Sequence, residues 1–368
     1  MFLNHGSFGA VPRPVLDRQS ELRRELEANP IEFLGRRLPS RLAQVRRRLA
    51  RYVGAVDPDA LGLVRNTTTA INAVARSLPL RRSDEVIVTD HEYGALRILW
   101  EDVAYERGAR VVLARIPTPL PDAAAVLDAV DAALTRRTRA LFFSHVTSLS
   151  ALVLPAAELC LLGRERDIVT IVDGAHAPGQ LDLDLDALGA DCYAGNAHKW
   201  LCAPKGAAFL HAAPAAREWL AGPVVSWGWR DGYQGRFSWS GTDDPTAHLC
   251  IPEAIGYQTR HRWRGVRRRC SELARETAAR IAERVGAVPL APPELQAPQM
   301  VALGLPERAP ADLQRRLRRR FRIEIPVERL GEASVVRLSV QAYTTRDDCD
   351  TLVDALDTLI RRRARPRP

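Results

Sequence analysis

Lysine is nearly missing from this chain of 368 residues. It occurs at Lys199 and Lys205 alone, although 53 residues are basic and the formal net charge is +9. Any chemistry that needs a side-chain amine therefore has two positions to choose from. Closely paired cysteines are missing as well. Cys160, Cys192, Cys202, Cys250, Cys270 and Cys349 are widely spaced, with no Cys-x-x-Cys among them. That argues against a zinc site and against a disulfide framework, so no metal is expected and the thiols read as reduced. No run approaches about 18 apolar residues, and the opening Met-Phe-Leu-Asn-His-Gly has no basic region followed by an apolar stretch. Neither a membrane span nor a secretory leader is expected, and the reading is a cytoplasmic protein. Basic and aromatic residues do not interleave as on a nucleic-acid-binding module. The arginines are mostly scattered among acids, as in Glu21-Leu22-Arg23-Arg24-Glu25, with clusters at 315–320 and 361–365 as the exceptions. Such a pattern suits solvated helix faces, and no nucleic-acid partner is expected.

What is present is alternation. Residues 14–28 and 32–52 carry helical periodicity. Short apolar runs then recur at Leu61–Val64, Glu85–Thr89, Arg110–Ala114, Ala140–Ser144, Ile168–Val172, Asp191–Gly195 and Ala207–His211. Helical segments separate most of them. Seven strands that are apolar on both faces call for a mainly parallel sheet buried between helices. Residues 222–246 break the rhythm with Trp227, Trp229, Tyr233, Phe237 and Trp239 among glycines. This segment reads either as a local mini-core or as the lining of a pocket or interface. A long helix over Pro252–Arg284, either continuous or broken, β runs at Gln299–Leu303, Ile323–Val327 and Ser334–Val340, and helices at Pro310–Phe321 and Arg346–Arg361 form a smaller C-terminal α+β unit. Pro310 suits a first helical position there. The division expected is an N-terminal segment 1–13, a large unit 14–249 and a small unit 250–368. The closing Arg-Pro-Arg-Pro reads as frayed.

Asp173 ends one apolar run and Lys199 follows the next. In open α/β sheets ligands bind outside the carboxyl ends of the strands, so the two residues face one crevice. Pyridoxal 5′-phosphate chemistry needs such a pair. A lysine amine forms a Schiff base with the cofactor aldehyde, and a carboxylate keeps the pyridinium nitrogen protonated so that the ring accepts electrons. Either residue alone would be an ordinary strand-end side chain.

Four further features suit the same site. Asn66-Thr67-Thr68-Thr69 joins a strand to a helix, where N–H groups and hydroxyls hold an anion, or simply cap the helix. Tyr93, in His91-Glu92-Tyr93, follows a strand end and can stack on a pyridine. Ser144-His145-Val146-Thr147-Ser148 offers hydroxyls at the next strand end. Arg337 stands inside the apolar run Val-Val-Arg-Leu-Ser-Val. It needs a partner, either a protein acid or a substrate carboxylate.

Taken in order, Asn4-His5-Gly6-Ser7, Asn66-Thr67-Thr68-Thr69, Asp90-His91-Glu92-Tyr93, Ser144–Ser148, Asp173-Gly174-Ala175-His176, His198-Lys199, Gly241-Thr242-Asp243 and Val336-Arg337-Leu338-Ser339 with Tyr343 resemble the class V aminotransferase family of fold-type I pyridoxal-phosphate enzymes, in its isopenicillin N epimerase-like branch. The likeness runs over nearly the whole chain. It implies roles residue by residue. Lys199 holds the cofactor and carries the proton at Cα, and Asp173 pairs with the ring nitrogen. Tyr93 stacks on the ring, where relatives often have His. Thr67 and Thr68 hold the phosphate, with Asn196 and His198 beside it. His176 and Ser148 face the phenolic oxygen. Thr242 is a phosphate contact lent by a second subunit, hence a homodimer. Arg337 binds the substrate α-carboxylate, and Asn4 and His5 close over an amino-acid-type substrate, with Tyr343 nearby.

The electron sink is shared by many reactions, so the fold does not choose among epimerisation, C–S β-elimination, transamination or decarboxylation. Cysteine desulfurases of the same family need a mobile cysteine before the carboxylate-binding arginine. Residues 323–336 contain none, and Cys349 lies beyond Arg337 in an expected helix. The Ala/Arg-rich composition suits a high-GC bacterium, and the resemblance to family members from such sources implies secondary metabolism.

Overall fold

A computed structural model of the protein describes residues 1–361. The closing Arg-Pro-Arg-Pro and the 362–365 part of the second arginine cluster lie outside the described residues. The seven strands are β1 (Leu61–Val64), β2 (Glu85–Thr89), β3 (Arg110–Ala114), β4 (Thr138–Ser144), β5 (Val169–Asp173), β6 (Cys192–Asn196) and β7 (Ala208–Ala212). They form one sheet in the order β1-β7-β6-β5-β4-β2-β3. β3, β2, β4, β5 and β6 run parallel, and β7 is antiparallel to both of its neighbours. The carboxyl ends of β2, β4, β5, β6 and β1 therefore open on one edge.

Alternation along each strand feeds two cores. Val86, Val88, Phe142 and Ile171 meet the helices Thr67–Ser77 and Gly94–Arg107 through Ile71, Val74, Leu96 and Trp100. Ile87, Leu141, Phe143 and Val172 face the opposite layer, with Leu49, Val53 and Leu159. Burial of each such side chain contributes about 1.5–3 kcal/mol. A smaller antiparallel sheet holds β8 (Val288–Pro289), β9 (Met300–Gly304), β10 (Val327–Leu330) and β11 (Ala333–Ser339), in the order β10-β11-β9-β8. It shares a third core with the helices Trp263–Val285 and Arg346–Arg361.

Several details differ from the reading of the sequence. The helix over 252–284, which the sequence leaves continuous or broken, is two, Ile251–Arg260 and Trp263–Val285, separated where Arg262 adopts a left-handed φ of 48°. The first of these packs on the helices Arg13–Ala28 and Leu38–Val53 of the large unit. The helix expected from residue 32 begins as a wider π-type turn, Ile31–Arg37. Residues 323–326 are not a ladder strand. Pro326 has no N–H to donate, and the hairpin strand begins only at Val327. Ile323 and Ile325 are buried instead, and Glu324 bridges Phe2. Pro310 stands before the helix Leu313–Phe321 rather than at its first position; its carbonyl accepts from Leu313 N–H. In the 222–246 segment Tyr233 is buried, donating to Leu210 O at 2.9 Å and touching Phe237, whereas Trp227 is exposed. Among the described residues no helix is long and apolar enough to cross a membrane, and all six cysteines are free and buried.

One glycine fixes the crevice wall. Gly179 has φ +95°, and a Cβ there would stand 2.2 Å from the carbonyl carbon of Trp200. We expect Gly179→Ala to lower stability by about 2–4 kcal/mol, read from the midpoint of denaturant unfolding.

Candidate active site

β4 and β5 end side by side at Ser144 and Asp173, and β6 ends at Asn196. Beyond Asn196 the chain turns sharply. Ala203 N–H bonds Ala197 O at 3.0 Å, and Cys202 takes a left-handed φ of 64°. This turn carries Lys199 back over the strand ends, where its Nζ lies 3.0 Å from His176 Nε2. Burial pulls the Lys199 amine down to about 8, helped by Arg337 and opposed by Asp173. Asp173 is itself buried. Desolvation raises its pKa, while Ala175 N–H, at 2.8 Å, and Lys199 act the other way.

The anion end of the crevice forms at the helix Thr67–Ser77. Asn66 caps it by accepting from Thr69 N–H at 2.8 Å. Asn196 Oδ1 accepts from Thr67 N–H at 2.9 Å, so Asn196 acts on the loop backbone. The Thr67 hydroxyl is left buried without a partner. Thr68 is half-buried beside it. His198 Nδ1 donates to Ala207 O at 3.1 Å, and burial holds the ring near a pKa of 4. In this neutral ring Nε2 is an acceptor, and a phosphate contact there needs a second proton.

Tyr93 opens the helix Gly94–Arg107 with its ring half exposed toward solvent. Directly before it, Glu92 is half-buried and accepts from Thr89 Oγ1, from Ser144 N–H at 2.9 Å and from Ser144 Oγ at 2.5 Å. Desolvation, reinforced by Asp173, pushes the Glu92 carboxyl up to about 7. His145 Nδ1 lies 3.0 Å from the Tyr193 hydroxyl under the Asp173 strand end.

Arg337, in the central part of β11, reaches the crevice from the small sheet. Its guanidinium donates to the Ser148 carbonyl, to Asn4 Oδ1 at 3.1 Å and to Ser7 Oγ at 3.0 Å, with Ser148 Oγ at 3.4 Å. Its Nε is buried and unpartnered. No carboxylate forms an ion pair with it among the described residues; the acid that affects it, Glu328, acts from a distance. Burial draws the group down to about 10. The protein-acid reading of Arg337 is thereby removed. The N-terminal segment encloses the same space. His5 is buried, with Nδ1 3.0 Å from the Tyr343 hydroxyl and Nε2 3.1 Å from Lys199 O. Burial holds its pKa near 4. Both its nitrogens are thus engaged with protein, so His5 braces the lysine turn from behind.

The structure brings together Lys199, Asp173, His176, Asn196, His198, Thr67, Ser148, Asn4, His5, Arg337 and Tyr343. Thr242 is not joined to them. It lies on an exposed loop whose Asp243 pairs with Arg65 at 2.6 Å. Three contributors were not singled out from the sequence. Ser7 stood in a quoted motif but without a role. Glu92 stood in another quoted motif, also without a role. Trp200 donates from its indole to His176 Nδ1 at 3.2 Å, and only its place after Lys199 hinted at that. Cys202 and Cys349 are buried, and burial raises both thiols, so neither is a ready nucleophile. The loop before β11 is the short hairpin turn around Gly331.

The chain matches the aminotransferase class-V family over residues 2–352. It is 42% identical to an isopenicillin N epimerase of Streptomyces clavuligerus, covering 97% of this chain and 94% of that one. It is 32% identical to a putative L-cysteine desulfhydrase of Oryza sativa subsp. japonica, covering 97% and 83%. Among solved structures, the cystine C–S lyase C-DES in complex with cysteine persulfide superposes with a TM-score of 0.84 at 22% identity, covering 97% of each chain. The donor set fits pyridoxal phosphate. A buried carboxylate and a half-buried lysine share the strand ends, and an unpaired Thr67 hydroxyl waits at a helix N-terminus.

Burial of the Lys199 ammonium is a cost that the cofactor-free fold carries. With a folded pKa near 8 against 10.5, the cost is fully present below pH 8 and disappears as pH rises toward 10.5. We expect Lys199→Met, without cofactor, to be more stable than wild type by up to about 3 kcal/mol at pH 7. The gain should shrink between pH 8 and 10.5, as followed by thermal melts across that range.

Proposed function

The chain belongs to the class V aminotransferases, and from that premise we propose that it epimerises the α-carbon of an amino-acid-type substrate in the manner of the isopenicillin N epimerases. It is a pyridoxal-phosphate-dependent enzyme; when bound, the cofactor supplies the electron sink that makes the Cα–H bond acidic. The observation that carries the reading is Arg337, a buried guanidinium held by neutral oxygens alone, with one N–H unpaired. A substrate α-carboxylate is the anion this fork lacks. Asn4, Ser7 and Ser148 hold the guanidinium plane and so orient that carboxylate. Asp173 keeps a negative charge at the base of the crevice for the pyridine nitrogen. Thr67 and Thr68, with His198, receive the phosphate; Asn196 holds their loop. His176 and Ser148 face the phenolic oxygen, and Tyr93 covers the ring. Lys199 takes and returns the Cα proton on one face. The Tyr343 hydroxyl, backed by His5, is the group we assign to the other. Segment 1–13 encloses the substrate, 14–249 holds the cofactor and 250–368 brings Arg337. Thr242 completes the phosphate site of a second subunit in a cytoplasmic homodimer.

A second reading is β-elimination of a thiol from an S-substituted cysteine, favoured by the desulfhydrase-like relatives and needing no further nucleophile. Incubation in deuterium oxide with D- and L-amino acids and S-conjugated cysteines separates the two. Deuterium at Cα with inversion and no pyruvate is expected; pyruvate with free thiol would replace epimerisation by C–S lysis.

Arg337→Ala is expected to raise KM by the equivalent of about 2–5 kcal/mol while cofactor occupancy stays near normal, and Arg337→Lys to recover only part. KM and melting temperature measured on one preparation check this. A normal KM in a less stable protein would assign Arg337 to structure. In solution the mass should be about twice 40.8 kDa, and a fully active monomer at micromolar concentration would remove Thr242 from the site.

A further inference from the structure

Lys199 and Trp200 are neighbours in sequence, and both reach the same imidazole. Lys199 Nζ lies 3.0 Å from His176 Nε2, and Trp200 Nε1 lies 3.2 Å from His176 Nδ1. An indole N–H can only donate, so Nδ1 must present a lone pair. A neutral imidazole has one lone pair and one N–H. Its proton therefore sits on Nε2 and points at the lysine nitrogen. An ammonium there would set N–H against N–H, whereas a free amine offers the lone pair that completes the bond.

We propose that Trp200 is a positioning residue that fixes the Nε2–H tautomer of His176 and through it lowers the proton affinity of the Lys199 amine. The indole is well held for the purpose. Trp200 is fully buried, its ring lies 4.8 Å from that of His5, and its carbonyl accepts from Gln258 Nε2 at 2.8 Å. Such pairing is not automatic in this protein, since the buried indoles of Trp100 and Trp263 have no partner. Nearby charge works with it. Burial above all keeps the His176 ring neutral, and the Arg337 guanidinium acts in the same direction. At Lys199 itself Arg337 acts in the same direction as the tautomer, and Asp173 opposes it. Without the indole N–H, the ring can move its proton to Nδ1 and offer Nε2 to an ammonium. The value of this for cofactor capture rests on Lys199 being the cofactor's lysine; the proton argument does not.

The scarcity of lysine makes the test direct. In the full-length chain labelled with 13C-lysine and cleared of pyridoxal phosphate, the ε-methylene signals belong to Lys199 and Lys205 alone. Lys205→Arg assigns them. Trp200→Phe should raise the Lys199 titration midpoint by about one pH unit, a tenfold change in proton affinity, and leave Lys205 in place. In a His176→Ala background, Trp200→Phe should add nothing. An unmoved Lys199 midpoint in folded Trp200→Phe, or an equal shift without His176, overturns the proposal. If Trp200→Phe does not fold, 15N-histidine spectra of the wild-type chain decide. A bare Nδ1 with protonated Nε2 supports the proposal, and the reverse tautomer overturns it. Borohydride fixation of added pyridoxal phosphate, with peptide mapping, tests the cofactor reading separately. A label on Lys205 would sink that reading and leave the titration result standing.

Discussion

The site is organised by an imbalance of buried charge. Asp173, Lys199 and Arg337 meet where water is largely excluded, and two cations face one anion. Protein interiors do not tolerate unpaired charge cheaply, and each group responds by shifting toward its neutral form. Glu92 does not repair the deficit. It spends its lone pairs on Thr89 and Ser144 and is pushed toward protonation. The arrangement becomes reasonable once two anions arrive, one a phosphate at the Thr67 helix and the other a carboxylate at Arg337. The fold is thus built around ligands whose charges it lacks.

That imbalance explains why two units must cooperate. The large sheet provides strand ends that aim Asp173, Asn196 and, through the following turn, Lys199 at one edge. The small sheet sends Arg337 from β11, and the N-terminal segment ties the two. Leu3 N–H bonds Glu324 O while Leu3 O accepts from Ser339 N–H; Asn4 and Ser7 meet Arg337, and His5 meets the Lys199 carbonyl. A few residues at the start of the chain therefore touch both the Lys199 turn and the Arg337 guanidinium.

Much of this was legible in the sequence, for physical reasons. Strands in a sheet covered by helices write themselves as short apolar runs, and all seven lie within a residue or two of where those runs fall. Asp173, Lys199 and Arg337 stood out because an ionisable group next to an apolar run is costly without a purpose. What stayed hidden was pairing at a distance. Nothing local says that the Trp200 indole meets His176, that Asn196 holds the Thr67 backbone, or that Glu92 is enclosed by two strand ends. Pro326 could have warned against a strand at 323–327, but the buried Ile323 and Ile325 before it imitated one. The π-type turn at 31–37 leaves apolar spacing too close to that of an α-helix to be told apart.

The replacement of lysine by arginine across the surface has a consequence for selectivity toward aldehydes. Guanidinium groups condense with carbonyl compounds far less readily than amines do. Of the two side-chain amines, Lys205 donates to the Gly9 carbonyl at 2.9 Å, which ties up its ammonium. Among the side chains, a free aldehyde diffusing to this protein thus finds scarcely any address other than Lys199 in the crevice. The basic character of the molecule is kept while the decoys for its own cofactor are removed.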